Sequence, residues 1–516
     1  MGSSPTRLTL KIHNMINRKI PATMATQHPD HAAKPYWHKE AFISTQYEAE
    51  EAYLAFSDLG IQEYKWDWEG KLVDESILER LFSNHFNFFK ENPLGLDTFL
   101  TFRLPNPKVE TEFRIGRAFM NLASAASTAK HFNLPSPPLF EVILPMTENA
   151  EEMLAIQLAY KQMHKLTHPL YRLEGILTIP RIIPLFEDVN TIINSDKILE
   201  KYLILYKKNF KKLPPYMRPY VARSDPALNF GIVPTVIAIK IALSKYLKLE
   251  KKLGILFFPI IGAATLPFRG GLNPLNIEKF IEEYKGIRTT TIQSAFRYDF
   301  DKADVKTAIA KLNKLLPLKN ADEIPIKDAK ILQELIPCFE KPYREVIEKV
   351  YLTVNKIASY FPKRRERVQH IGLYGYSRGV GKVKLPRAIT FNGAFYSLGI
   401  PPELIATGRG LKKAKELGGL NLIKKYYKFI KEDLIEAGKY LNKENLINLS
   451  IKSKIWKKVL EDVLSIEEIF NISLGPKTAD EIKHAKIVKK IILLLNQGKN
   501  PQKEIEQAAI LRHSLG

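Results

Sequence analysis

The sequence predicts an α/β protein built on a (β/α)8-type barrel that carries many additional α-helices and is helix-rich overall. Short β-branched or aromatic runs recur along the chain, most of them end in a polar residue, and helical periodicity usually follows. Such near-continuous apolar runs are typical of parallel strands that are buried on both faces. Eight βα units close into a barrel whose active site lies at the carboxyl ends of the strands.

Eight runs are predicted as strands, and three long stretches between them are predicted as helices. The runs are residues 98–103, 140–146, 181–187, 220–225, 255–262, 289–297, 371–378 and 387–392. The helical stretches are residues 150–167, 189–210 and 230–252. This alternation of strand and helix patterns is what predicts the barrel.

The domain organisation is predicted as one catalytic domain preceded by a short tail. Residues 1–19 contain basic but no acidic residues and are interpreted as an N-terminal tail, either a start-site extension or a cloning remnant. Residues 20–516 are predicted as a single barrel domain with helical insertions at 300–366 and 400–516. Residues 64–68 are predicted as an aromatic-rich turn.

Composition limits the possible function classes. No apolar run among the 516 residues reaches the roughly 20 needed for a membrane span, so no membrane association is expected. The single Cys338 excludes a disulfide framework, which favours a cytoplasmic protein. The net charge of +23 is compatible with a basic RNA-binding helical protein. However, many lysines alternate with apolar residues as on solvated helix faces, and no nucleic-acid module is recognisable, so nucleic-acid binding is not expected.

Two carboxylates indicate a metal site. Glu187 and Asp225 end consecutive predicted strands, so they would be neighbours in a barrel. Mg²⁺ and Mn²⁺ are commonly held by one or two carboxylates, with water and substrate oxygens completing the shell. The sequence therefore predicts one of these ions at the barrel mouth.

Arginines indicate an anionic substrate. Arg269 stands beside Gly270 and Gly271 after the fifth run, where glycines allow backbone N–H groups to approach an anion. The other arginines predicted to line a phosphate or carboxylate pocket are Arg103, Arg297, Arg378 and Arg387. By contrast, Arg364 and Arg365 are predicted to lie at an exposed helix end.

A histidine is predicted to stand on a rigid loop near this pocket. His28 lies in Thr26-Gln27-His28-Pro29-Asp30, and proline fixes φ and removes a backbone donor, which excludes a regular helix there. A histidine with a pKa near neutrality is suited to proton transfer. His28 is therefore the candidate base.

Taken in order, these motifs resemble those of the phosphoenolpyruvate carboxylase family, specifically its short archaeal type. The motifs are TQHPD, FEVILPMT, PLFE, ARSDPALNFG, LPFRGGLNP, TIQSAFRYD, YSRG and LPRAITF. The resemblance implies an anaplerotic homotetramer that joins phosphoenolpyruvate to bicarbonate, with Mg²⁺ or Mn²⁺, through carboxyphosphate and enolpyruvate. The alternative is another Mg²⁺-dependent phosphoenolpyruvate or enolate barrel, either a lyase or a mutase.

The resemblance also implies roles for individual residues. It makes Glu187 and Asp225 metal ligands and makes His28, Arg269 and Arg378 catalytic. The residues it implies in substrate binding are Arg103, Gln293, Arg297, Arg387, Gly270 and Gly271.

The chain departs from the longer enzymes of the family in two places. Leu228 stands where they have a lysine, so one cation is missing or is supplied elsewhere. The final residues, 512–516, only partly match the ending that those enzymes insert into the active site.

Overall fold

Eight parallel strands close into a barrel in the computed structural model, which describes residues 19–68, 74–110, 113–171, 179–366 and 383–516, without the side chains of 166–171. The strands are β1 (Thr23–Thr26), β2 (Glu63–Asp67), β3 (Phe99–Arg103), β4 (Glu141–Leu144), β5 (Arg181–Phe186), β6 (Tyr220–Ala222), β7 (Ile260–Gly262) and β8 (Thr289–Ile292). They follow one another around the barrel in chain order, and Thr23 of β1 pairs with Thr290 of β8 to close it. The predicted fold class is confirmed.

Each strand is followed by a helix, and further helices surround the barrel. Across the described ranges the α-helices are α1 (Glu48–Ser57), α2 (Ile77–Glu91), α3 (Arg114–His131), α4 (Ala150–Tyr171), α5 (Val189–Phe210), α6 (Ser224–Phe230), α7 (Ile232–Leu253), α8 (Ile277–Glu283), α9 (Ser294–Tyr298), α10 (Lys302–Leu315), α11 (Ile326–Ala358), α12 (Ala388–Ser397), α13 (Thr407–Glu416), α14 (Leu420–Tyr426), α15 (Ile430–Gly438), α16 (Lys443–Lys452), α17 (Lys454–Phe470), α18 (Ala479–Asn496) and α19 (Gln502–Leu511). Within the described residues, no helix combines the length and apolarity needed to cross a membrane.

Six of the eight predicted runs contain barrel strands, and the other two strands come from the N-terminal part of the chain. Residues 387–392, predicted as a strand, begin helix α12, which packs on α11 and α19. This tertiary packing overrides the local β preference of Ile389 and Thr390. Residues 371–378 lie outside the described part. The missed strands are β1, which ends two residues before His28, and β2, which includes most of the predicted turn at 64–68.

Strand β2 was missed because it carries charges into the barrel. Glu63 begins the strand at the amino end of the barrel, where Arg218 contacts Glu63 at 2.6 Å and Glu141 at 2.7 Å. All three side chains are buried. Buried charges persist when they are paired, so this cluster closes the amino end of the barrel.

An apolar layer separates that cluster from the opposite end. Its buried side chains are Met24, Ile143, Ile183, Leu185, Tyr220, Ala222 and Ile260. A larger apolar core lies between the strands and the surrounding helices. The polar residues that follow the strands are therefore gathered at the carboxyl end alone.

The chain after α11 returns to the N-terminal region, which overturns one prediction. Arg364 and Arg365 are only 7% and 3% exposed, although they were expected at an exposed helix end. Arg365 contacts Glu51 at 2.5 Å, and Arg364 donates to the carbonyl of His31 at 3.2 Å. Their partners lie more than 300 residues earlier in the chain, so local pattern could not reveal them.

Candidate active site

The loop that carries His28 follows β1 at the carboxyl end of the barrel. His28 Nδ1 lies 2.9 Å from Thr26 Oγ1. Asp30 Oδ1 accepts from the backbone N–H of Ala295 at 2.9 Å, and Ser294 Oγ contacts the His28 carbonyl oxygen at 2.5 Å. Helix α9, which follows β8, therefore holds this loop in place.

The surroundings of His28 disfavour its protonated form. Burial lowers the pKa of His28 well below its ordinary value, and the charges of Lys65, Arg103 and Arg269 lower it further, while Asp67 opposes them. This direction is away from the pKa near neutrality that suits proton transfer. At neutral pH the imidazole is uncharged and able to accept a proton.

Lys65 and Asp67 are site residues that were not predicted. Lys65 is 1% exposed, and its Nζ lies 3.4 Å from Asp67 Oδ1, which also accepts from Arg103 Nε at 2.8 Å. Lys65 pairs in register with Thr26, the residue that contacts the His28 ring. The alternation Glu63, Lys65, Asp67 was the available signal, since residues two apart lie on one face of a strand.

Glu187 and Asp225 lie where the sequence predicted them, after the adjacent strands β5 and β6. The charges of Glu187 and Asp225 both affect the pKa of Tyr220 in β6. Burial raises the pKa of Tyr220, Arg103 opposes this, and Asp67, Glu187 and Asp225 raise it further. Both carboxylates thus follow strands at the carboxyl end of the barrel, the end at which the His28 loop also lies.

The chemistry of this carboxylate pair fits the predicted metal. Among the described residues, no group of three or more His, Cys, Asp or Glu side chains could hold an ion. Two carboxylates would leave most of the coordination shell to water and substrate oxygens, as Mg²⁺ and Mn²⁺ prefer. Glu187 and Asp225 are thus a suitable pair for such an ion.

Arg269 lies on a loop between β7 and α8, here called the arginine loop and defined as residues 266–272. Its guanidinium is 1% exposed and donates to Asp30 Oδ2 at 3.1 Å, Gln293 Oε1 at 2.5 Å and Ser224 Oγ at 3.2 Å. Burial lowers the pKa of Arg269, while Asp30 and Asp225 raise it. Arg269 therefore connects the His28 loop to the segment that carries Asp225.

The two glycines of the arginine loop have hydrogen bonds within the loop. Gly270 N–H donates to the Pro267 carbonyl at 3.1 Å, and Gly271 N–H donates to the Leu266 carbonyl at 3.0 Å. Both glycines have positive φ, +120° and +69°. In this structure they shape the loop, and their predicted contact with an anion would require these bonds to be given up.

The segment 513–516 also reaches this site. The carbonyl oxygen of Gly516 accepts from Arg269 Nη1, and Leu515 N–H donates to the Asp30 carbonyl at 2.7 Å. A Cβ at Gly393 of α12 would lie 2.3 Å from the Leu515 carbonyl oxygen, so only glycine fits there. The segment contacts Arg269 and Asp30 through its backbone, and Ser514 Oγ also donates to the Asp30 carbonyl at 3.5 Å.

The remaining predicted arginines do not share one location. Arg297 is buried behind the His28 loop, where it donates to the Thr26 carbonyl at 2.8 Å and to Glu51 at 3.0 Å. This arrangement supports the loop. Arg387 is exposed at the residue before α12, and Arg378 lies outside the described residues. Leu228 is fully buried in α6, so no cation enters the site from that position.

Comparisons with known proteins cover nearly the whole chain. The profile of a family described as phosphoenolpyruvate carboxylase matches residues 20–516. A phosphoenolpyruvate carboxylase of Metallosphaera sedula is 39% identical over 518 residues, covering 97% of this chain and 100% of that protein. One of Leuconostoc mesenteroides is 37% identical over 506 residues, with 97% and 100% covered. One of Methanothermobacter thermautotrophicus is 36% identical over 512 residues, with 96% and 100% covered. This chain belongs to the phosphoenolpyruvate carboxylase family.

Proposed function

We propose that this protein carboxylates phosphoenolpyruvate with bicarbonate to give oxaloacetate and phosphate. The observation that carries the proposal is the convergence of His28, Arg269 and the pair Glu187 and Asp225 at one end of the barrel in a chain of this family. The site combines a base, cationic groups for anions and a carboxylate pair for a divalent ion.

The first step is phosphoryl transfer. An oxygen of bicarbonate attacks the phosphorus of phosphoenolpyruvate, the bond from phosphorus to the enol oxygen breaks, and carboxyphosphate and the enolate of pyruvate form. The step depends on positioning and charge neutralisation. The buried cations Lys65, Arg103 and Arg269 supply fixed positive charge. A divalent ion held by Glu187 and Asp225 would supply further neutralisation of phosphate and enolate oxygens when bound.

The second step requires a base. His28 takes the proton of the carboxyphosphate carboxyl group, carbon dioxide and phosphate separate, and phosphate recovers the proton. The methylene carbon of the enolate then attacks carbon dioxide to form oxaloacetate. Because the free imidazole is uncharged at neutral pH, it can accept this proton. Carbon dioxide and the enolate must be kept from water, which the buried surroundings of Asp30 and Arg269 favour.

Three further features are part of the proposal because the family implies them. These are dependence on Mg²⁺ or Mn²⁺, assembly as a homotetramer and a cytoplasmic, anaplerotic role. Removal of divalent ions with a chelator should abolish activity, and Mg²⁺ or Mn²⁺ should restore it. Sedimentation equilibrium should give about four times the chain mass of 59.1 kDa.

A coupled assay for oxaloacetate tests the proposal. Product should form only when phosphoenolpyruvate, bicarbonate and a divalent ion are all present, with one phosphate released per oxaloacetate. Phosphate release without bicarbonate would instead indicate the alternative interpretation, another Mg²⁺-dependent phosphoenolpyruvate or enolate barrel enzyme. Absence of oxaloacetate with either metal would refute the proposed function.

A further inference from the structure

We propose that Arg223 and Glu403 are positioning residues that hold the backbone of the arginine loop from two sides and thereby fix Arg269 in the active site. The inference rests on the proposed function, since it concerns the arginine that the site presents to an anionic substrate. Neither residue was predicted as functional from the sequence.

Arg223 holds the carbonyl groups of the loop. It lies between β6 and α6, is 1% exposed, and donates from Nη1 to the Phe268 carbonyl and from Nη2 to the Pro267 carbonyl, both at 3.1 Å. Its Nε donates to Tyr284 Oη at 3.2 Å. A planar guanidinium can bind two successive carbonyls in a fixed geometry, whereas a lysine ammonium has no such fork. The donors of Arg223 are thus directed to the loop and its support.

Glu403 holds the N–H of the same residue. Its side chain is fully buried, and Oε1 accepts from Phe268 N–H at 2.8 Å and from Tyr396 Oη at 2.9 Å. Both polar groups of the Phe268 backbone are therefore held, one by Arg223 and the other by Glu403. Phe268 immediately precedes Arg269, so this grip fixes the point from which the guanidinium extends.

The loop lies directly against the side chain of Arg223. A Cβ at Gly270 would lie 3.3 Å from Arg223 Cγ and 2.9 Å from Ala263 Cβ, and Gly270 has a φ of +120°. An L-residue would be strained there and would push the loop away from Arg223. The glycine at position 270 is therefore explained by its positive φ and by the close approach of the loop to Ala263 and Arg223.

The segment that carries Asp225 also orients the Arg269 side chain. Arg223 binds the loop backbone, Ser224 Oγ accepts from Arg269 Nε at 3.2 Å, and Asp225 follows at the start of α6. Three successive residues thus fix the loop, the guanidinium and a candidate metal ligand relative to one another. Catalytic groups require such tight placement, because errors of about 1 Å can cost about 100-fold in rate.

A double-mutant comparison tests whether Arg223 acts through Arg269. The variants are Arg223→Met, Arg269→Lys and the double variant. A cooperative thermal unfolding transition first shows that each variant is folded. A separate sample of each is then assayed for kcat/KM with phosphoenolpyruvate. We expect Arg223→Met to lower kcat/KM by at least about tenfold, and the double variant to be no slower than Arg269→Lys alone. The inference would be overturned if Arg223→Met lowered kcat/KM by less than about twofold. It would also be overturned if the fold-loss of the double variant equalled the product of the fold-losses of the two single variants.

Arg288 provides a matched control. It donates to the Lys319 carbonyl at 2.5 Å and to Asn320 Oδ1 at 3.0 Å at the opposite end of the barrel. Arg288→Met also removes an arginine that binds a loop carbonyl, but should leave kcat/KM unchanged.

Hydrogen exchange measured by mass spectrometry gives a readout that does not depend on activity. The amides of Phe268, Arg269 and Gly270 are all hydrogen-bonded. Arg223→Met should speed exchange in a peptide covering residues 264–272 and leave a peptide covering 316–321 unchanged, whereas Arg288→Met should do the reverse. Unchanged exchange in 264–272 would refute the proposal that Arg223 holds the arginine loop. If the wild-type protein made no oxaloacetate, the proposed function would be refuted. The exchange measurement would still show whether Arg223 holds the arginine loop.

A pair of Glu403 variants separates the acceptor from the charge. Glu403→Gln keeps an oxygen at the Oε1 position, whereas Glu403→Ala removes the acceptor of Phe268 and Tyr396. We expect Glu403→Gln to retain at least about ten times the kcat/KM of Glu403→Ala. Equal losses in two folded variants would contradict a role for the acceptor.

Discussion

Replacement of Glu403 with glutamine should make the protein more stable in alkaline solution. Burial raises the pKa of the Glu403 carboxyl to about 7 from an ordinary value of 4.5, and hydrogen bonds from Phe268 and Tyr396 only partly oppose this. Both of those bonds reach Oε1, and among the described residues no donor reaches Oε2 within hydrogen-bond distance. No donor thus stabilises a negative charge on Oε2, which favours the neutral carboxyl, and glutamine is a neutral analogue of that form.

The sign follows from proton binding. A carboxyl whose pKa is higher in the folded state binds more protons there, so stability is highest below the unfolded pKa of 4.5 and falls until pH exceeds about 7. The folded and unfolded pKa values of Glu403 differ by about 2.5, which corresponds to a full contribution of about 3 kcal/mol to the free energy of unfolding. Somewhat more than about 2 kcal/mol of this contribution is lost between pH 5 and pH 8. Glutamine does not titrate, so the variant should lack this loss.

The assay is urea unfolding of both proteins at pH 5 and pH 8 and equal protein concentration. Other titrating groups are common to both proteins, so the difference between the two pH-dependent changes isolates Glu403. We expect the glutamine variant to gain about 2 kcal/mol relative to the wild type on going from pH 5 to pH 8. Parallel pH dependence in the two proteins would refute the reasoning, as would a variant that is less stable than the wild type only at pH 8.

Three further outcomes concern the reaction. His28→Asn should lower oxaloacetate formation by about 1,000-fold yet leave bicarbonate-dependent release of phosphate and pyruvate, because the first step needs no base; loss of both activities in a folded variant would remove that role. Asp225→Asn should raise the Mn²⁺ concentration for half-maximal activity by about tenfold or more, and an unchanged Mn²⁺ titration would count against metal ligation. Lys65→Gln should raise, and Asp67→Asn lower, the pKa of the acidic limb of kcat/KM, and shifts in the same direction would contradict the proposed control of His28.

The sequence could predict the convergence of the site because of a simple property of barrels. Parallel strands all place their carboxyl ends at the same opening. Once Glu187, Asp225 and Arg269 were recognised as residues that follow strands, their common location followed. His28 joins them for the same reason, since the strand β1 that precedes it was missed but has the same direction.

Other site features depended on contacts that no local pattern contains. Glu51 lies between Arg297 and Arg365, which follow it by 246 and 314 residues. Glu403 meets Phe268 across 135 residues. Glu51 and Glu403 are polar residues of unremarkable type in their own segments. Only the folded chain shows that they are buried and what they hold.

Lys65 of strand β2 is one of the charges that set the proton affinity of His28. Burial lowers the pKa of His28 most, and the positive charges of Lys65, Arg103 and Arg269, the groups proposed to bind anions, lower it further. Bound phosphate and carboxylate groups would offset these charges and raise the proton affinity of the imidazole. The base would thus be uncharged before the substrates bind and more basic when carboxyphosphate requires deprotonation. A charged residue within the barrel, Lys65, therefore both hides β2 from a search for apolar strands and lowers the proton affinity of His28.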